Sequence, residues 1–187
     1  MHDDQELVRR TLRGDRGAFE EIVRRYQQAV INYIGRMVRE REMALDFSQE
    51  IFLKVYSSLR SYRPQFKFST WLFKIASNYM IDYWRKRKIA TTSYDQPVDG
   101  VDGSACIQVT DDGPSVSRQY EMQELRGRIE EAMDRLPPAL RELFVWRHVN
   151  GFSYEEMADI KSLPVGTVKN RVFQAKEMLK QLLEEPA

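Results

Sequence analysis

Apolar residues recur along this chain at spacings of three and four rather than in alternation, a pattern that predicts helices and no convincing strand. Leu7, Val8 and Leu12 predict a short opening helix that stops near Gly14. Phe19, Ile22, Val23, Tyr26, Val30, Ile34 and Met37 form a longer stripe, with Glu20, Glu21, Arg24, Arg25 and Arg36 outside it. After the charged turn RERE comes a third stripe of Ala44, Phe47, Ile51, Phe52, Val55, Tyr56 and Leu59, whose polar side carries Asp46, Gln49, Glu50 and Lys54. Arg63-Pro64 breaks that helix, because the residue before proline is pushed out of helical geometry. Phe68, Leu72, Ile75, Ala76 and Tyr79 then make the core stripe of a segment running from Phe66 to Lys88. A second helical block contains Val116, Tyr120, Leu125, Ile129, Met133 and Leu136, turns at Pro137-Pro138, and resumes with Leu140, Leu143, Phe144 and Val145.

Asn150-Gly151 closes that block, and Ser153 followed by Glu156 is a capping box that starts a new helix at about Tyr154. That helix is short, since Lys161, Ser162 and Leu163 lead into Pro164, which suits the first turn of the next. From there Val165, Val168, Val172, Ala175, Leu179 and Leu182 share one stripe, while Thr167, Lys169, Asn170, Arg171, Gln174 and Lys176 occupy the other face. A short capped helix, a turn and a helix with a polar first half is the helix-turn-helix layout, whose second helix enters the DNA major groove. Arg and Lys pair with guanine edges, and Asn and Gln with adenine edges. A helical hairpin with a solvated polar face fits the same residues. Phe173 lies off the stripe and is expected to pack on a neighbouring helix.

The segment from Phe66 to Lys88 holds more rings than one stripe can bury: Trp71, Tyr83 and Trp84 are surplus. Lys67, Lys74, Arg85, Lys86, Arg87 and Lys88 accompany them, against the single acid Asp82. Rings interleaved with cations suit unpaired bases, which stack on the rings while Lys and Arg track phosphates. A core helix ending in a basic tail that favours the helix dipole explains the same residues.

Composition narrows the classes. The 187 residues suffice for two small domains, and the net charge of +1 by itself announces no nucleic-acid partner. Residues 89–117 hold no Lys or Arg but do hold Asp95, Asp99, Asp102, Asp111 and Asp112 with several Gly and Pro. Such a composition buries too little apolar surface to fold alone, which predicts a flexible acidic linker. The expected fold is therefore all-α, two small helical domains with a helix-turn-helix in the second. One cysteine, Cys106, excludes an internal disulfide, and His2 and His148 cannot assemble a convincing zinc set, so no metal is expected. No apolar stretch approaches the roughly eighteen residues that span a bilayer. The start, MHDDQELVRR, lacks a signal-peptide core, and a cytoplasmic protein without membrane insertion is expected.

Several separated segments together resemble bacterial RNA polymerase sigma factors, in particular the extracytoplasmic-function (ECF) group of the sigma-70 family. LDFSQEIFLKVY is similar to the family segment that docks on the polymerase clamp; FKFSTWLFKIASNYMIDYWRKRK resembles the segment that captures and opens the minus-ten promoter element; LPPALRELFVWRHVNGFSYEEMADI and LPVGTVKNRVFQAKEML resemble the helix-turn-helix that reads the minus-thirty-five element. The resemblance implies a region 2-like domain over 1–88, a linker over 89–117 and a region 4-like domain over 118–187. It further implies polymerase contacts at Asp46, Gln49, Glu50 and Phe52. Minus-ten contacts would fall on Lys67, Ser69, Thr70, Trp71, Asn78, Tyr83, Trp84, Arg85, Lys86, Arg87 and Lys88, with Tyr79 nearer the core. Minus-thirty-five contacts would fall on Ser153, Thr167, Lys169, Asn170, Arg171, Gln174 and Lys176. The implied partners are core RNA polymerase, through its clamp and flap regions, promoter DNA and an anti-sigma factor. No cofactor and no catalytic residue are implied. Lys161 and Ser162 depart from the pattern, standing where the family often has an apolar residue and a glycine. Two other classes were weighed: a dimeric operator-binding regulator, which leaves DFSQE without a purpose, and a DNA-processing enzyme, which would need a nucleophile or metal set that two distant histidines do not supply.

Overall fold

The computed structural model describes residues 3–38, 40–92 and 116–184, with only the backbone described over 88–92 and 116–121. Eight α-helices and one 3₁₀ turn follow in order: α1 (Asp4–Leu12), α2 (Arg16–Val38), α3 (Arg41–Ser58), a 3₁₀ turn (Leu59–Ser61), α4 (Phe68–Thr92), α5 (Val116–Arg135), α6 (Pro138–His148), α7 (Tyr154–Lys161) and α8 (Val165–Glu184). There is no strand among the described residues. Helices α1 to α4 pack in one compact unit and most of α5 to α8 in a second.

The core of the first unit comes from three helices. Ile22, Val30, Tyr33 and Ile34 of α2, Ile51 and Val55 of α3, and Leu72, Ala76 and Met80 of α4 are all fully buried. Each large apolar side chain so buried stabilises by about 1.5–3 kcal/mol relative to exposure. The buried stripe of α4 is wider than the sequence pattern suggested: Phe73 and Met80 join it, while Ile75 and Tyr79 are half-buried. Phe73 meets Tyr33 with ring centroids 5.7 Å apart. Two expected core residues are instead exposed, Leu12 and Tyr56. In α1 the buried place beside Leu7 and Val8 goes to Thr11, whose hydroxyl donates to the Leu7 carbonyl at 2.8 Å and so loses nothing by burial. Gly14 at φ +98° ends that helix, and Asp15 starts the next by accepting from the Ala18 N–H at 3.2 Å.

In the second unit Trp146 is the largest fully buried side chain, among Leu143 and Val145 of α6, Met157 of α7 and Val168, Val172 and Ala175 of α8. The ring of Phe152 approaches Trp146 at 6.3 Å. At the Pro137-Pro138 corner, Arg141 donates to the Asp134 carboxylate at 2.9 Å and to the Asp134 carbonyl, tying the end of α5 to α6. Only the last turn of α5 contributes to the core, through Ala132, Met133 and Leu136. Leu125 and Ile129, expected on a buried stripe, are exposed together with Met122.

Residues 89–92 and 116–117, read from composition as linker, are helical. A helix nucleated by packing extends past its last buried residue because propagation is far cheaper than nucleation. The five linker aspartates and Cys106 lie outside the described residues, as does His2.

Candidate nucleic-acid and polymerase interface

The exposed face of α3 is built by the residues that its core stripe leaves out. With Ala44, Ser48, Ile51, Phe52 and Val55 buried, Asp46, Gln49 and Glu50 are exposed on the opposite side. Phe52 was expected among them, but at 7% exposure it supports the helix from below and presents nothing to a partner. The same face carries apolar residues that the sequence reading missed. Leu45, Gln49, Leu53 and Tyr56 follow one another at spacings of four and three, a single line along the helix, and Leu53 is 65% exposed. Their spacing off the buried stripe was the available signal. Beside this face Lys54 sits over the Tyr79 ring at 5.8 Å. Burial first, then the charges of Glu50 and Asp46, hold the Tyr79 hydroxyl above the usual phenol range.

The loop between the 3₁₀ turn and α4 is fastened from within. Phe66 N–H donates to the Arg63 carbonyl at 3.1 Å, and the Tyr62 hydroxyl donates to the Phe66 carbonyl at 2.8 Å. Tyr62, Phe68 and Trp71 form a ring cluster with centroids 5.4–5.5 Å apart. Trp71 is half-buried at its edge, so an unstacked base could extend the cluster. Lys67 and Phe66 are exposed and Ser69 is half-buried. Thr70 is buried at 6% exposure, which removes it from the surface on which it was expected.

Further along α4, Asn78, Arg85, Lys86 and Arg87 are exposed and Trp84 is half-buried; the Lys88 side chain is not described. Arg85 pairs with Asp82 at 2.9 Å, an exposed contact that phosphate can readily replace. Tyr83 is not a free ring. It packs edge-on against Phe47 of α3, centroids 4.9 Å apart, and its hydroxyl reaches the Met43 sulfur at 3.5 Å. Tyr79 stands on the same Phe47 at 5.2 Å, so both tyrosines join α4 to the docking helix.

In the second unit the capping box forms as expected: the Glu156 N–H donates to Ser153 Oγ at 3.1 Å and the Ser153 N–H donates to Glu156 Oε2 at 2.8 Å. Ser153 is thereby engaged in starting α7. The turn after α7 places Ser162 at φ +53°, in the left-handed region that favours glycine. Ser162→Gly should therefore raise the thermal stability of the chain by about 1 kcal/mol, measured by calorimetry; an unchanged or lowered unfolding temperature would show that the turn carries no strain.

Along α8 the apolar stripe is buried and the polar face is open. Lys169, Asn170, Gln174 and Lys176 are exposed, and Thr167 and Arg171 are half-buried. The Tyr154 ring at the start of α7 lies under two cations, Arg147 at 4.7 Å and Lys169 at 5.6 Å. Arg147 is held in turn by donating to the Phe152 carbonyl at 3.0 Å. Burial, then Arg147 and Lys176, hold the His148 imidazole below its ordinary range, a measure of the positive field near this helix. Phe173, expected to pack, is instead 60% exposed on the DNA-reading face or its edge. Among the described residues no helix is long and apolar enough to cross a membrane, and no His, Cys, Asp and Glu group is placed to hold a metal.

Comparison with known proteins places these surfaces in a family. Residues 22–89 match Sigma-70 region 2, and residues 126–179 match Sigma-70, region 4. The chain is 32% identical over 184 residues to the RNA polymerase sigma-H factor of Pseudomonas aeruginosa, covering 98% of this chain and 95% of that protein. It is 33% identical over 180 residues to the ECF RNA polymerase sigma-E factor of Escherichia coli K12, covering 94% and 92%. Among solved structures, the sigma factor RpoE of Bartonella quintana, in complex with the anti-sigma factor NepR, has the same fold with a TM-score of 0.71 at 23% identity, covering 90% of this chain and 98% of that one. The chain belongs to the ECF group of sigma-70 family RNA polymerase sigma factors. It is a transcription initiation factor whose region 2 and region 4 bind core RNA polymerase and promoter elements.

Proposed function

We propose that the face of α3 formed by Asp46, Gln49 and Glu50 with Leu45, Leu53 and Tyr56 docks on the polymerase clamp, and that the polar face of α8 reads the minus-thirty-five element. The observation carrying this assignment is the complete segregation of α8, with Val168, Val172, Ala175 and Leu179 buried while Lys169, Asn170, Gln174 and Lys176 stand open. The second unit also meets the flap region. In the first unit Lys67, Ser69 and Trp71 meet the opened minus-ten strand, with Asn78 and Trp84 near it and Arg85 to Lys88 on the duplex backbone upstream. Flipping a base costs a few kcal/mol, offset by stacking on the Trp71 cluster. Residues 1–88 and 118–187 act as the two DNA-reading parts and 89–117 as their link, so that two weak contacts add through high effective concentration.

The chain works in the cytoplasm and catalyses nothing itself: the polymerase carries out nucleotide chemistry. An anti-sigma factor that covers the docking face is a partner, supported by the complex of the Bartonella quintana relative.

The test is co-purification with core RNA polymerase followed by run-off transcription on genomic fragments. A stoichiometric complex initiating at a small set of related promoters is expected; tight binding of the free protein to palindromic duplex with no affinity for core would establish a dimeric regulator instead. Within that assay, Asn170→Ala should lower use of the cognate minus-thirty-five element about tenfold, concentrated at one base pair, with core affinity unchanged. An equal loss on every upstream sequence would remove Asn170 from base reading.

A further inference from the structure

Between the start of α1 and the loop before α4 lies a cleft of about 410 Å³, lined on the loop side by Tyr62, Phe66 and Lys67 and on the other by Asp3, Gln5 and Tyr26. Its size falls within the ~300–1,000 Å³ of small-molecule sites. The two tyrosine protons are already committed, Tyr26 donating to Asp4 Oδ2 at 2.6 Å and Tyr62 to the Phe66 carbonyl at 2.8 Å. These oxygens therefore offer a ligand lone pairs only, and exposed Asp3 adds a carboxylate at the rim. Gln5 donates Nε2 to the Pro64 carbonyl at 2.9 Å, while Asp4 accepts from both Arg25 and Tyr26. Helix α1 is thus fixed to α2 behind it and to the loop across the cleft. A phosphate would be repelled by Asp3 and Asp4, whereas a neutral planar ring can stack on the aromatic walls and donate to their acceptors.

We propose that α1, which precedes the matched region 2 segment, is a specificity-determining wall of the minus-ten site. The cleft takes one unpaired non-template base and favours cytosine or adenine, whose exocyclic amino group donates to the acceptor-rich wall, over thymine, which turns a carbonyl toward it. Asp3 sets the preference, and Gln5 is a positioning residue that holds the loop. The proposal rests on the reading that this loop meets the opened strand.

The experiment titrates holoenzyme, reconstituted from the full chain and core RNA polymerase, with fluorescent non-template single strands in which each minus-ten position in turn is A, C, G or T. At one position cytosine or adenine should bind about tenfold tighter than thymine. Asp3→Asn should bring that ratio to within about twofold of unity, since an amide also donates to a keto base. Gln5→Ala should weaken every strand and flatten the ratio, with affinity for core and for minus-thirty-five duplex unchanged. A base ratio that survives both substitutions overturns the proposal. Wild-type holoenzyme that binds minus-ten strands no better than scrambled ones overturns the underlying minus-ten reading, a separate outcome in which no ratio exists to be lost.

Discussion

Leu53→Asp lowers affinity for core RNA polymerase by about thirtyfold or more and leaves the unfolding temperature of the protein unchanged. The two halves of this expectation come from one number. At 65% exposure Leu53 contributes little to the core, so a polar replacement in the middle of α3 costs the fold only a small helix-propensity difference. At a docking surface, an exposed leucine flanked by acids and amides is the kind of apolar anchor that becomes desolvated, and truncating such an anchor costs roughly 2 kcal/mol or more, which is about thirtyfold in affinity. Aspartate adds a charge that must be desolvated or repelled by its neighbours Glu50 and Asp46. Surface plasmon resonance against immobilised core measures the affinity, with calorimetry of the free protein as the control. Unchanged affinity would move the docking surface off this face of α3; a large fall in unfolding temperature would mean that Leu53 is structural.

Leu53 also shows where the sequence stopped being legible. Helices α2, α3, α4 and α8 could be located because their apolar stripes repeat over many turns, and the capping box at Ser153 because two side chains at fixed spacing satisfy two N–H groups. Stripe edges were harder. Leu53, Tyr56, Leu125 and Ile129 are apolar, and periodicity alone cannot tell a residue that completes a core from one kept for a partner. Thr11, Thr70 and Ser48 were the converse error, polar residues accepted into the interior; for Thr11 and Ser48 a nearby backbone carbonyl satisfies the hydroxyl. The candidate site divided along the same line. The cations of α4 and the amides of α8 were identifiable by type and are open as expected, whereas Phe52 and Tyr83 are ring side chains whose packing against α3 or its core only a fold can reveal. The cleft against α1 was illegible for a different reason: it joins residues near Asp3 to residues near Phe66 through contacts far apart in the chain.

Trp146→Ala has the opposite signature to Leu53→Asp, abolishing the second unit while sparing the first. Trp146 has no exposed surface and sits where α6, α7 and α8 converge, so truncation removes the central side chain of a small core and leaves a cavity. Phe or Trp to Ala changes at such sites cost about 3–5 kcal/mol, and a unit of this size has only about 5 kcal/mol to lose. The expected result is loss of amide protection along Val168, Val172 and Ala175 in hydrogen exchange, with protection at Val30, Ile34 and Ile51 retained. Functionally, run-off transcription from promoters that require the minus-thirty-five element should disappear. Binding to core and to single-stranded minus-ten oligonucleotides should persist, because the docking face of α3 and the loop before α4 draw their geometry from a core in which Trp146 has no part. Trp146→Phe keeps an apolar ring in place and should restore most protection in the second unit. If Trp146→Ala instead removes protection from both sets of amides together, the two cores share their stability, and each promoter element could no longer be assigned to a unit that holds its own shape.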